Sequence, residues 1–212
     1  MSIGDAEIKT QERVIRFFKD PEILGYQYIG NLSDYQNKNI KEDRLRQYLR
    51  LKGYADKLID AAIMQLQQEA GNLSRGVYDA NKTVYSRLKY GIPVSESPEK
   101  PPVTVQLVDE EKPLNNDFAI AEEVTVVEQS EKRPDLVVYL NGIAVAVIEL
   151  KRSSISVSEG IRQNLTNQKN SFIQSFFTTM QFCMAGNESE GLRYGTLLTG
   201  EKFYMEIGRA HV

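Results

Sequence analysis

Two apolar runs, Leu136-Val-Val-Tyr-Leu140 and Ile143-Ala-Val-Ala-Val-Ile148, stand two residues apart across Asn141-Gly142. Neither run alternates in polarity, so each reads as a strand that must be covered on both faces. Asn-Gly between such runs is a strong hairpin signal, because both residues tolerate the positive φ of a tight turn. A chain containing this hairpin therefore needs layers of other elements above and below a sheet.

The remaining sequence supplies those layers. Apolar residues recur at helical spacing over residues 6–18, 41–52, 55–70 and 81–90, with Pro21, Gly53 and Gly91 as stops. Leu24-Gly25-Tyr26 reads as a short extended piece, and residues 93–102, with prolines at 93, 98, 101 and 102, as a loop. Beyond the loop the period becomes strand-like, over residues 103–108 and 117–127. After the hairpin, Ser156 with Glu159 fits a helix-capping box. Ile161 and Leu165 begin that helix's buried stripe. Phe172, Ile173, Phe176, Phe177 and Met180 continue it in a second helix or a bent extension. Residues 195–199 and 202–206 read as two closing strands around Gly200-Glu201. The expected fold is α/β: a mixed β-sheet flanked by helices, with a helical part over residues 1–92 and a sheet-centred core over 103–206.

Chemistry concentrates on the hairpin. Asp135 opens its first strand and Glu149-Leu150-Lys151 closes its second. The two-residue period of a strand puts Glu149 and Lys151 on one face. A strict two-residue turn would pair Asp135 with Ile148 and leave Asp135 and Glu149 on opposite faces. A three-residue turn or a bulge restores the match, so an irregularity in this hairpin is expected. Two carboxylates can hold Mg²⁺ through hard oxygen ligands, and the ion can polarise a phosphate and acidify water. A lysine beside them can position or deprotonate that water, or stabilise developing charge. The set suits phosphodiester hydrolysis. Its bland counterpart is a hairpin with a polar end, against which stands the cost of charges so close to an apolar strand.

With Arg133-Pro134-Asp135, Asn141-Gly142 and Ile148-Glu149-Leu150-Lys151, the chain resembles the PD-(D/E)xK nuclease superfamily, and within it the N-terminal nuclease domain of type I restriction R subunits. Val108-Asp109, Asn115-Asn116-Asp117-Phe118 and the stretch from Ala185-Gly186-Asn187 to Gly191-Leu192-Arg193-Tyr194-Gly195-Thr196 extend the resemblance. The resemblance implies a restriction-endonuclease-like fold, with Asp135 and Glu149 as metal-binding carboxylates and Lys151 as the catalytic lysine. The family's Gln-x-x-x-Tyr on the next helix carries over as Gln163, while Asn167 stands in the tyrosine's place. Related nucleases often add an acid from the first helix; Glu12 is the candidate and Glu7 the alternative. Arg152, Arg162, Lys169 and Arg193 are candidates for contacts with the DNA backbone. The resemblance further implies Mg²⁺ as cofactor and double-stranded DNA, methyltransferase and specificity subunits as partners. ATP would serve only motor domains absent from these residues, since no Walker motif occurs in them. The other reading is a non-catalytic DNA-binding or subunit-docking domain that keeps the nuclease fold.

Composition excludes little. Hydrophobic residues at 41% and charged residues at 26% are ordinary for a soluble globular domain. Basic residues number 26 and acidic residues 29, which is not a global nucleic-acid-binding signature, although phosphate contacts can be local. Cys183 is alone, so no internal disulfide or cysteine metal cluster forms, and it reads as a small buried hydrophobe. No run approaches the roughly 20 apolar residues of a membrane span, and no signal peptide opens the chain, so a cytoplasmic setting is expected. Residues 207–212 read as translated sequencing adapter. On that reading His211 does not belong to the protein, and histidine base catalysis drops out.

Overall fold

The structure, a computed structural model, describes residues 3–97 and 99–207, with side chains from residue 8 onward. Residues 208–212, including His211, and the side chain of Glu7 lie outside the described residues. In chain order the elements are α1 (Ile3–Lys19), β1 (Gln27–Asn31), α2 (Glu42–Leu51), α3 (Asp56–Gly71), α4 (Val77–Tyr90), β2 (Ile92–Val94), β3 (Val103–Val105), β4 (Phe118–Glu122), β5 (Val126–Val127), β6 (Glu131–Lys132), β7 (Leu136–Leu140), β8 (Ile143–Leu150), α5 (Val157–Asn167), β9 (Phe182–Asn187), β10 (Gly191–Gly195) and β11 (Met205–Glu206).

Seven strands make one sheet in the order β1-β4-β7-β8-β9-β10-β11. β1 with β4 and β8 with β9 are parallel, and the other pairs are antiparallel. The hairpin β7–β8 lies at the centre and is buried almost throughout. One face packs Leu136, Val138, Ala146, Ile148 and Leu150 against Ile15 of α1. The other packs Val137, Tyr139, Ala144 and Val147 against Phe176, Phe177 and Met180. Lacking a polar face, the hairpin is covered on both sides. α2, α3 and α4 build a separate apolar cluster that reaches the sheet through Ile143.

The turn between β7 and β8 is anchored from outside. Asn141 and Gly142 have φ of 52° and 84°. Asn141 is fully buried; its amide donates to the Leu107 carbonyl at 2.8 Å and its Oδ1 accepts from the Asp117 N–H at 2.7 Å. A side-chain polar group so satisfied costs little to bury and pins two distant loops to the turn.

Several elements differ from the sequence reading. β9, between apolar Phe182 and polar Asn187, was not foreseen, yet it lies beside β8. Residues 103–108 supply only the short β3, which pairs with β2 outside the main sheet. β1 follows, rather than coincides with, the extended piece at 24–26, and joins the sheet at its edge. The second helix after α5 is a 3-10 segment, Gln174–Thr179. It goes no further because Asn81 of α4 donates to the Thr178 and Met180 carbonyls at 3.0 and 2.8 Å, satisfying them without another helical turn. The closing strands are displaced. Leu198 has φ of 59° and its N–H is captured by Gln168 Oε1 at 2.7 Å, so residues 196–199 form a turn and β10 precedes it. Ser156 caps α5 by accepting from the Ser158 N–H, but Glu159 pairs with Arg162.

A methyl group at position 142 would meet the Lys41 carbonyl at 2.7 Å and the Leu45 nitrogen at 2.8 Å, on a backbone of positive φ. We expect Gly142→Ala to destabilise the domain by about 2 kcal/mol or more, read as a lower urea midpoint at unchanged slope.

Candidate active site

The carboxyl end of β8 gathers the residues that carry chemistry. The turn has two residues, since Leu140 pairs with Ile143, but the register shifts between Val138 and Tyr139. Val138 pairs with Ala146 and Tyr139 with Ala144, so Val145 is the extra residue of a bulge. Downstream of it Leu136 faces Ile148, which sets Asp135 opposite Glu149. The irregularity expected from the sequence is therefore the bulge. In the next strand Glu149 is level with Ala185, which is level with Arg193. Asp135 and Glu149 thus occupy one transverse row of the sheet.

Glu149 is fully buried. Gln163 on α5 donates to its Oε2 at 2.6 Å. Its Oε1 has no protein partner. Burial first, and then the neighbouring Asp135 charge, hold its carboxyl well above the usual carboxylate range, while Lys151 opposes the rise. α5 comes this close because it carries Gly160 where it crosses the sheet: a Cβ there would meet Ala185 Cβ at 3.0 Å and Glu149 Cβ at 3.5 Å. Asp135 is half-buried, and its Oδ2 accepts from the Leu150 N–H at 2.6 Å. Lys151 is half-buried; its N–H pairs with the Gly186 carbonyl at 2.9 Å and its ammonium donates to the Leu150 carbonyl at 3.1 Å.

The remaining sequence candidates divide. Gln163 is in the site. Asn167, four residues on, is buried at the end of α5. Glu12 is a correction: it lies on the exposed side of α1, and the residue that α1 turns inward is Gln11, 7% exposed. Successive helical residues are 100° apart, so only one of the two can face the sheet. Gln11 donates to Glu122 Oε2 at 3.0 Å and to Glu123 Oε1 at 3.2 Å. Arg162, its side chain 54% exposed, pairs with Glu201 at 2.9 and 3.1 Å and with Glu159 at 2.7 Å, contacts that fasten α5. Arg193 stands 3.6 Å from Glu190. Arg152 is half-buried directly after Lys151, and Lys169 is exposed beyond the far end of α5. The sequence reading missed Glu123 and Arg133. Glu123 follows β4 with φ of 51°, donates its N–H to the Asp135 carbonyl at 2.8 Å, and pairs with Arg133 at 2.7 Å. The signal was present in Glu122-Glu123 ending an alternating run and in Arg133 preceding Pro134-Asp135.

The donor set suits a hard divalent cation. Two carboxylates face each other, and one buried oxygen lacks a protein hydrogen bond. Among the described residues no three His, Cys, Asp or Glu side chains form a ready cage. Mg²⁺ commonly uses one or two carboxylates and completes its shell with water and phosphate oxygens.

A mixed sheet flanked by helices, with this carboxylate pair and lysine at the end of its central hairpin, is a restriction-endonuclease-like α/β fold. Residues 7–203 match the family model described as type I restriction enzyme R protein N terminus, and the chain belongs to that family. No curated protein matches the chain. Among the described residues no helix is long and apolar enough to cross a membrane.

Glu149 binds its proton more tightly in the fold than in the unfolded chain. Its protonation therefore stabilises the fold fully below the usual value of 4.5, and that contribution is lost as the pH rises through the raised value. In EDTA, the melting temperature of the parent should fall relative to Glu149→Gln as the pH rises from 4.5 towards neutrality. Each kcal/mol corresponds to roughly 2–4 °C. Parallel melting curves for the two proteins across that range would refute the buried carboxylate. Gly160→Ala should cost about 1 kcal/mol and, by lifting α5, weaken the Gln163–Glu149 contact. Urea unfolding measures the first effect.

Proposed function

We propose that this domain is the Mg²⁺-dependent DNA-cleaving module of a type I restriction R subunit. The reading rests on one observation: the bulge at Val145 sets Asp135 opposite a buried Glu149, with Lys151 one strand period further on. Asp135 and Glu149 would hold Mg²⁺. When bound, the ion polarises the scissile phosphate and makes water more acidic.

The protein's own residues do the positioning. Gln163 fixes Glu149 Oε2, and Oε1, which accepts no hydrogen bond, would be the oxygen available to the ion. The Leu150 N–H fixes the Asp135 carboxylate from the strand between Glu149 and Lys151. With each carboxylate held by a hydrogen bond from α5 or the strand backbone, little reorganisation would accompany the reaction. Lys151 brings its ammonium to the same side, to orient the attacking water and to stabilise charge growing on the phosphate. The work would take place in the cytoplasm, on double-stranded DNA, in complex with methyltransferase and specificity subunits. The Walker phosphate-binding pattern does not occur in the 212 residues. ATP-driven movement would therefore belong to other domains of an R subunit. The sheet-centred residues 103–206 would carry the cutting, and residues 1–92 would serve to support them. Asn167, buried where the family's tyrosine would stand, favours a second reading as a non-catalytic docking domain.

The test uses a full-length R subunit assembled with its partner subunits, ATP and Mg²⁺. Asp135→Ala and Lys151→Ala should each lower plasmid cleavage by roughly 10³-fold, while ATP hydrolysis continues. Cleavage by both variants at the parent rate would eliminate the proposed site and leave the docking reading in its place.

A further inference from the structure

We propose that Arg133, oriented by Glu123, grips a backbone phosphate of the DNA strand to be cut. This rests on the nuclease reading and adds a positioning pair to it. The need comes from local charge. Glu122, Glu123, Asp135 and Glu149 crowd one end of the sheet, and Glu123 and Asp135 each act on Glu149. Such a field repels a polyanion unless cations stand at its rim. Of the basic residues nominated from the sequence, Arg162 is shared between two carboxylates, Glu159 and Glu201, and Arg193 stands 3.6 Å from Glu190.

Arg133 is better placed. Only Pro134 separates it from Asp135, and this short segment is fastened by two backbone hydrogen bonds. The Val124 N–H donates to the Pro134 carbonyl at 3.0 Å, and the Glu123 N–H to the Asp135 carbonyl at 2.8 Å. The Arg133 side chain is 57% exposed and meets Glu123 Oε2 through Nε at 2.7 Å. The nearest approach of the pair is through Nε. The two terminal nitrogens of Arg133 make no ion pair with another described residue, and they form the fork that matches phosphate oxygens.

Glu123 is held more firmly than an ordinary surface partner. Its φ of 51° is strained for a residue with a side chain. Its N–H is bound to Asp135, and its Oε1 accepts from the buried Gln11. An exposed ion pair adds little to stability, so stability alone gives this construction small return. An arginine fixed beside the metal-binding carboxylates gives it a use: it sets the register of the strand against Asp135 and Glu149.

The experiment measures binding of a short DNA duplex to the 212-residue chain, with Ca²⁺ replacing Mg²⁺, over a series of salt concentrations. Arg133→Ala should weaken binding on the order of tenfold. It should also reduce the slope of log K against log salt by about 0.9, the value for one phosphate contact. Arg133→Lys should restore the slope but not the affinity, because it keeps the charge and loses the fork. Glu123→Gln should keep the slope and weaken binding less than Arg133→Ala does. Calorimetric Ca²⁺ affinity should stay at or above the parent's in Arg133→Ala. Three results would each overturn the proposal: a parent chain that does not bind the duplex, an Arg133→Ala slope equal to the parent's, or loss of Ca²⁺ affinity at unchanged slope. These readouts do not depend on cleavage. If Asp135→Ala and Lys151→Ala complexes cut normally, the nuclease reading fails by a separate measurement.

Discussion

Two carboxylates lie level with each other at the end of a strand that is buried on both faces. One of them, Glu149, has no exposed surface at all. In such surroundings a charge is costly unless it is paired or hydrogen-bonded, and a second charge of the same sign raises the cost. The neighbouring structure bears on this one problem. Gln163 and the Leu150 N–H each hold a carboxylate oxygen, Lys151 offsets the charge, and Gly160 lets α5 approach closely enough for Gln163 to reach. The stability that is given up here is recovered in the apolar layers above and below the hairpin. A site that relieves its own repulsion by taking up a cation is chemically consistent with the metal-dependent role proposed.

The bulge at Val145 links fold to chemistry. Side chains on a strand alternate, so one extra residue decides which of them share a face. With a two-residue turn and no bulge, Asp135 would be level with Ile148, and the charged pair would be split across the sheet. The inserted residue restores the pairing without lengthening the turn. The turn is itself constrained, because Asn141 ties it to Leu107 and Asp117 and Gly142 lies against α2. The irregularity falls within the strand, and the turn stays short and rigid.

Much of this was legible in advance, for identifiable reasons. The hairpin, its double burial and the shared face of Glu149 and Lys151 follow from polarity pattern and strand period. The need for an irregularity follows from counting residues. Its kind and position did not, since a longer turn would have served equally well. β9 escaped notice because it ends in Gly186-Asn187 and follows apolar residues that read as helix. Of the two acids considered on α1, Glu12 faces solvent and the side chain of Glu7 lies outside the described residues; helical phase turns on 100° per residue, and docking against the sheet buries Gln11 in place of Glu12.

From the sequence alone came the class of fold, the central hairpin and the residues at its end, because these depend on local period and composition. Tertiary structure decided which basic and acidic groups are available to that site. The sequence nominates Arg162 as a DNA contact, and the fold pairs it with Glu159 and with Glu201, the latter 39 positions along the chain. Arg133, noted in the sequence only as part of Arg133-Pro134-Asp135, is held beside Asp135 by Glu123, the residue after β4. Pairing between distant charges depends on how elements pack, and no local pattern encodes it. The carboxylate pair first read from Asp135 and Glu149 thus became an aligned and buried pair only through the bulge and the helix that closes over it.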